Sequence, residues 1–181
     1  MTYEETLLVL AVLKAAYPHS FKDMKRADGE AMAKLWQMQF ASESVEEVKA
    51  AVNALIATRK EGFSPTIGEV KEKLHSLRSV NSLNEQDAWA LVSKACQNGL
   101  YGYKKEFAKL PLEVQRAVGA PEQLREWAKM DVETVQSVVA SNFMRNYRVL
   151  QEREKEQAML PPSVQKVIGE LSGVMMLESG A

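Results

Sequence analysis

Apolar residues recur at intervals of three and four along almost the whole chain, the period of an α-helix with a buried face. Thr2 and Glu5 have the spacing of a capping box, in which each side chain satisfies a free backbone N–H of the other residue. The helix they open carries Leu7, Leu10, Leu13 and Tyr17, and Val9, Val12 and Ala16 widen its stripe. A stripe this broad predicts burial on more than one side. Pro18 ends the helix, because the residue before a proline is pushed out of the α region. Residues 18–27 read as a loop, and Asp28 is the expected cap of a second helix with Met32, Leu35, Trp36 and Phe40 on its apolar face. Ser44 and Glu47 predict a third helix, with Val48, Ala51, Val52, Leu55 and Ile56 inside. Gly62 follows it, where a left-handed residue closes a helix well. After an extended connector over 63–66, Thr66 and Glu69 form another box, and Ile67, Val70, Leu74 and Leu77 give the fourth helix its buried face.

Residues 79–83 are polar with little periodicity and suggest a boundary. Asn84 caps the next helix, with Ala88, Leu91, Val92 and Ala95, which closes near Gly99. Residues 99–103 read as an aromatic turn, and short amphipathic pieces follow around Phe107–Leu110, Pro111–Val118 and Leu124–Trp127, with Gly119 as a separator. Asp131 then opens a long helix with Val135, Val139, Phe143, Tyr147 and Leu150 on one face. Residues 151–157 are wholly polar but contain no helix breaker. A helix over 132–159 would be roughly 42 Å long, with its last third in solvent or against a partner. The expected fold is all-α. A small N-terminal bundle of about four helices (1–78) precedes a second helical region with a long C-terminal helix (79–160), then a weak helix and flexible tail (161–181).

Composition narrows the function. Hydrophobic residues make up 46% and charged residues 26% of the 181, as in a folding chain rather than a disordered one. The net charge is -1, with 11 basic and 11 acidic residues up to residue 80 and 12 and 13 beyond it. A protein that coats nucleic acid usually carries a basic excess, which neither half has. The single cysteine, Cys96, excludes an intramolecular disulfide and suggests a reducing compartment. The longest apolar run, Leu7–Leu13, is far short of the roughly 20 residues a membrane span needs. Glu4 and Glu5 stand where a secretory signal would be basic. A cytoplasmic protein with no membrane partner is expected.

Chemistry is scarce. The chain has no G-x-x-x-x-G-K-[ST] phosphate cradle and no G-x-G-x-x-G turn. His19, His75 and Cys96 are too scattered for a zinc site or a hydrolytic triad. Catalytic residues, metal ligands and cofactor-binding residues are therefore expected to be none, and the protein is not expected to be an enzyme. Candidates for binding are few. Lys22, Lys25 and Arg26, with Lys104, Lys105 and neighbouring Lys109 as a second group, could contact phosphates. An ordinary charged surface balanced by Asp23, Asp28 and Glu106 explains them as well. Trp36, Phe40, Trp89 and Trp127 read as core. Val174, Met175, Met176 and Leu177 form an apolar end that suits a groove on a partner, or else folds back or stays disordered.

The N-terminal run ETLLVLAVLKAAYPHSF, followed by LWQMQFASESVEEVKAAVNALIATRKEGFSPTIGEVKEKL, resembles the phage and prophage replicative-helicase loader/inhibitor proteins. The carrying features are an opening apolar helix with a late aromatic, Tyr17; a Trp-x-x-x-Phe helix, Trp36 and Phe40; the run Val48 to Thr58; and Phe63-Ser-Pro-Thr-Ile leading to a capped helix. They span about residues 4–75. The second half looks like a region seen with such domains in prophage proteins, through Ala88-Trp89, Leu110-Pro111 to Gly119, and Phe143 with Tyr147. The resemblance implies an ATP-independent adaptor that binds a hexameric replicative helicase. Such an adaptor restrains the helicase and helps load it at an origin marked by an initiator protein, touching nucleic acid weakly or indirectly. The matching residues are core and capping residues, so no functional residue carries over. A DNA-binding replication or regulatory protein and a self-assembling phage structural protein are the alternatives.

Overall fold

The computed structural model describes residues 1–79 and 82–178, with side chains as far as Leu171. Among these residues the secondary structure is helical with no strand. Two compact units emerge, Met1–Val80 with Lys155–Ala181, and Asn81–Glu154.

In the first unit α1 (Tyr3–Ala16) starts on the Thr2–Glu5 box. Thr2 Oγ1 accepts from the Glu5 N–H at 3.2 Å, and Glu5 Oε2 accepts from the Thr2 N–H at 2.6 Å. Tyr17 and a short 3-10 turn, Pro18–Phe21, lead to α2 (Arg26–Gln39). Asp28 is not the residue before α2 but the third within it, and its carboxylate accepts from the Lys25 N–H at 3.3 Å. The cap lies three residues earlier because an acid at that position can satisfy the free N–H from inside the first turn. α3 (Val45–Thr58) and α4 (Ile67–Arg78) begin on Ser44 and Thr66 as their spacing predicts. α3 closes without a left-handed glycine, since Gly119 alone has positive φ among the described residues. Instead Thr58 Oγ1 donates to the Ala54 carbonyl at 2.8 Å and Arg59 turns extended.

The core of this unit collects Val9, Leu13, Trp36, Phe40, Val48, Val52 and Val70, all at most 5% exposed. Trp36 and Phe40 lie one helical turn apart, with ring centroids 5.3 Å from each other. The last residues of the unit come from the end of α10 (Ala140–Met159) and from α11 (Pro162–Glu178). Lys71, buried on α4, donates through its amine to the Met159 carbonyl at 2.5 Å and to Gln39 Oε1 at 3.2 Å. Lys155 reaches Glu72 at 2.6 Å. The end of α10 is therefore tied down by α4 of the same unit, rather than left in solvent or to a partner as its polarity suggests. A run of charged residues needs only complementary charge to dock, not an apolar stripe.

The second unit contains α5 (Glu85–Gln97), α6 (Gly99–Lys109), α7 (Leu112–Val118), α8 (Pro121–Trp127), α9 (Val132–Thr134), a π-helical stretch over Val135–Val139 and the first part of α10. Residues 99–103 form the start of a helix, not a turn. Gly99 is the reason: a Cβ there would lie 3.0 Å from the Leu124 carbonyl oxygen and 3.3 Å from Ala128 Cβ. Glycine serves close packing of α6 on α8 here, not reversal of the chain. Trp89, Phe143 and Tyr147 form the aromatic centre, with successive ring centroids 5.6 and 5.9 Å apart, and partly buried Trp127 meets Trp89 edge-on at 6.5 Å. Cys96 is buried here as a small apolar residue, and desolvation pushes its thiol pKa up to about 11.

Candidate interaction site

The broad stripe of α1 divides in two. Thr6, Val9, Leu10 and Leu13 enter the core, but Leu7, Leu8 and Val12 remain 45, 56 and 38% exposed. The expectation that the broad stripe is buried on more than one side is thus corrected. The face with Thr6 can pack inward because Thr6 satisfies its own hydroxyl on the Thr2 carbonyl at 2.8 Å, which leaves the leucine face outward. Leu35 and Leu77 also stand out of the core, 45 and 42% exposed, and Phe63 on the α3–α4 connector is 72% exposed.

Part of the exposed α1 face borders a groove of about 560 Å³. α1 contributes Tyr3, Leu7, Ala11 and Lys14 to it. Phe21, Met24, Gly29 and Met32 supply much of the facing wall. Lys14 and Arg26, wall residues on either side of the 17–25 connection, are the basic side chains that line the groove. Arg26 Nε pairs with Glu30 at 2.9 Å, an exposed pair one turn apart. Among the described residues no ion pair is formed by Lys14, Lys22 or Lys25. Three uncommitted ammonium groups are therefore found on the stretch that leads into and out of the connection.

Of the basic residues picked out from sequence, Lys22, Lys25 and Arg26 fall together at this connection and the first turn of α2. Lys104 and Lys105 lie on α6 in the other unit. Lys104 Nζ sits 5.8 Å above the Tyr103 ring, and Lys109 of the same group pairs with Glu106 at 2.7 Å. Val174, Met175, Met176 and Leu177 fall within α11, and their side chains lie outside the described residues. The groove walls themselves were missed. Their one sequence signal is Gly29, a glycine inside a helix, where a substituted Cβ would merely touch Met24 Sδ at 3.7 Å.

The second unit has a groove of about 490 Å³ beside the π-helical stretch, with Trp127, Val138 and Phe143 among its walls. Ser137 and Ser141 donate to the carbonyls of Glu133 and Ser137 at 2.6 and 2.7 Å, bonds that accompany irregular helix geometry. No group of three or more metal-binding side chains occurs among the described residues. No helix among them is long and apolar enough to cross a membrane.

Residues 1–71 match the family model for the N-terminal domain of a phage helicase loader/inhibitor protein. The match covers α1 to α3, the groove and the opening of α4. It falls on the stretch whose pattern carries the resemblance. It ends at Lys71, the residue that holds the end of α10. No curated protein and no solved structure matches the chain significantly.

Proposed function

We propose that this protein is a non-enzymatic cytoplasmic adaptor that binds a hexameric replicative DNA helicase. It restrains the helicase without using ATP and helps load it at a phage origin, through an origin-bound initiator. The observation that carries this reading is the match of residues 1–71 to the loader/inhibitor N-terminal domain. Near-neutral charge favours protein partners over DNA. The exposed apolar residues of α1 are capped at one end and anchored in the core by Val9 and Leu13, so they present a preformed surface. Val174 to Leu177 would add a second contact.

The test is size-exclusion with light scattering on the protein mixed with its cognate helicase, with and without ATP. The full chain and a chain ending at Ser172 are compared. Co-elution lost on truncation places the contact at the C-terminal end, and co-elution by both places it in the body. Absence of co-elution in every nucleotide state refutes the adaptor reading for that helicase. The uncommitted Lys22 and Lys25 favour one second reading, direct DNA binding. It predicts an affinity that falls steeply with salt, because bound phosphates release counterions.

A further inference from the structure

We propose that the groove between α1 and the start of α2 is a docking site for an acidic amphipathic helix of a partner protein. The inference rests on the adaptor reading for the partner's identity, but its chemistry follows from the groove. The walls from Tyr3 to Lys14 run eleven residue steps along α1, about 16 Å at 1.5 Å per residue. That length matches a partner helix of about twelve residues. The floor is apolar, with Leu7, Ala11, Met24 and Met32, and methionines adapt their shape to an incoming side chain. A helix laying leucines or isoleucines at i, i+3/i+4 and i+7 into such a floor would bury Leu7, now 45% exposed, and Met24, now 36% exposed.

Charge selects among such helices. Glu30, the one acidic wall residue of the groove, is paired by Arg26, which leaves Lys14 as its unpaired charged wall residue, and Asp28 accepts the Lys25 backbone N–H. Lys14, Lys22 and Lys25 remain without ion pairs, against Asp23 as the one acidic side chain within the connection. Lys14 lines the groove, and Lys22 and Lys25 are chain neighbours of its wall residues Phe21, Met24 and Arg26, so carboxylates on the flank of the incoming helix would meet a basic margin. A lysine-flanked helix would meet repulsion there. Bare phosphate chains would use the lysines but leave the apolar floor uncovered, which is why a protein helix fits better than DNA.

The experiment uses the full chain and two fluorescein-labelled twelve-residue peptides with the same leucine stripe, one flanked by glutamates and one by lysines. Fluorescence anisotropy gives each affinity at low and moderate salt, and a DNA duplex is titrated as a competitor. The acidic peptide is expected to bind at least about fivefold tighter than the basic one, and a K14E/K25E double variant is expected to reverse that preference. Leu7→Gln should weaken both peptides alike, because it removes floor contact and not charge. All three positions are solvent-accessible, and unchanged thermal melting shows that the variants fold. Equal affinity for both peptides, binding indifferent to K14E/K25E, absence of binding, or displacement of the acidic peptide by the duplex overturns the proposal. Helicase co-elution of the same variants is measured separately. Wild-type co-elution with peptide failure overturns the docking site alone, and peptide binding without co-elution overturns the adaptor reading alone.

Discussion

Lys71→Met is the most informative single substitution in the first unit. The lysine is 8% exposed, and burial lowers its pKa from the ordinary lysine value of 10.5. Its amine donates to the Met159 carbonyl at 2.5 Å and to Gln39 Oε1 at 3.2 Å, and sits 5.6 Å from the Phe40 ring centre. Methionine keeps the length and the contact with Phe40 but removes the donor. A hydrogen bond from a charged group contributes about 1.5–3 kcal/mol. Relief of the desolvated charge offsets part of that loss, so a net destabilisation of about 1–2 kcal/mol is expected. The loss should fall on the first unit and above all on this segment, because Met159 ends α10 and Lys71 acts as a cation at that helix C-terminus. Hydrogen exchange read by mass spectrometry is the assay. Peptides covering 155–165 should exchange about tenfold faster, as 1.4 kcal/mol implies, and those around Trp89 should not change. Unchanged exchange over 155–165, or a higher urea midpoint, would refute the idea that Lys71 holds this segment.

A hydrogen bond from Arg78, with a second from Ser44, holds the Glu47 carboxyl down to about 2. The depressed pKa contributes stability above pH 4.5 that is lost as the pH falls from 4.5 toward 2. Both side chains are about half exposed, so screening limits the effect to about 1 kcal/mol, and Glu47→Gln should flatten the acid limb of a melting profile. Gly99→Ala should cost about 1–3 kcal/mol in urea unfolding, because its Cβ would press on the Leu124 carbonyl, whereas Gly29→Ala should be neutral or stabilising. Cys96 should resist alkylation at pH 8 in the native protein and react on unfolding, since its pKa stands at about 11.

What the sequence made legible follows from which interactions are local. Thr2–Glu5, Ser44 and Thr66 are caps, and a cap is written in four consecutive residues. The placement of Trp36, Phe40 and Trp89 in cores follows from their size and helical spacing. The outward face of α1 was not legible, because a broad apolar stripe does not say which part of it the neighbouring helices leave uncovered. Lys71 was hidden for a similar reason. Its stripe neighbours Val70 and Leu74 are plain, but its partner carbonyl lies 88 residues away. Gly99 misled in the opposite direction. Glycine signals a turn by default, and only the approach of α8 reveals a helix that has no room for a side chain.

The two kinds of exposed apolar surface in the first unit have different energetic consequences. Leu7 and Met24 sit on or beside helices already ordered by Val9, Leu13, Phe21 and Trp36. A partner docking there would lose its own freedom but impose little further order on this chain, so more of the buried area would appear as affinity. Phe63 is different. It lies on the non-helical connector between α3 and α4, which is tied by the Ser64 N–H donating to Ser20 Oγ at 2.9 Å and by buried Pro65, while Phe63 itself is 72% exposed. Contact at Phe63 would fix a side chain that now has few neighbours, and so would lose more freedom than contact at Leu7. An adaptor that must both hold and release its partner can use this division. The rigid α1–α2 groove fixes register and charge preference, and a less anchored contact elsewhere can be lost first without undoing the docking geometry.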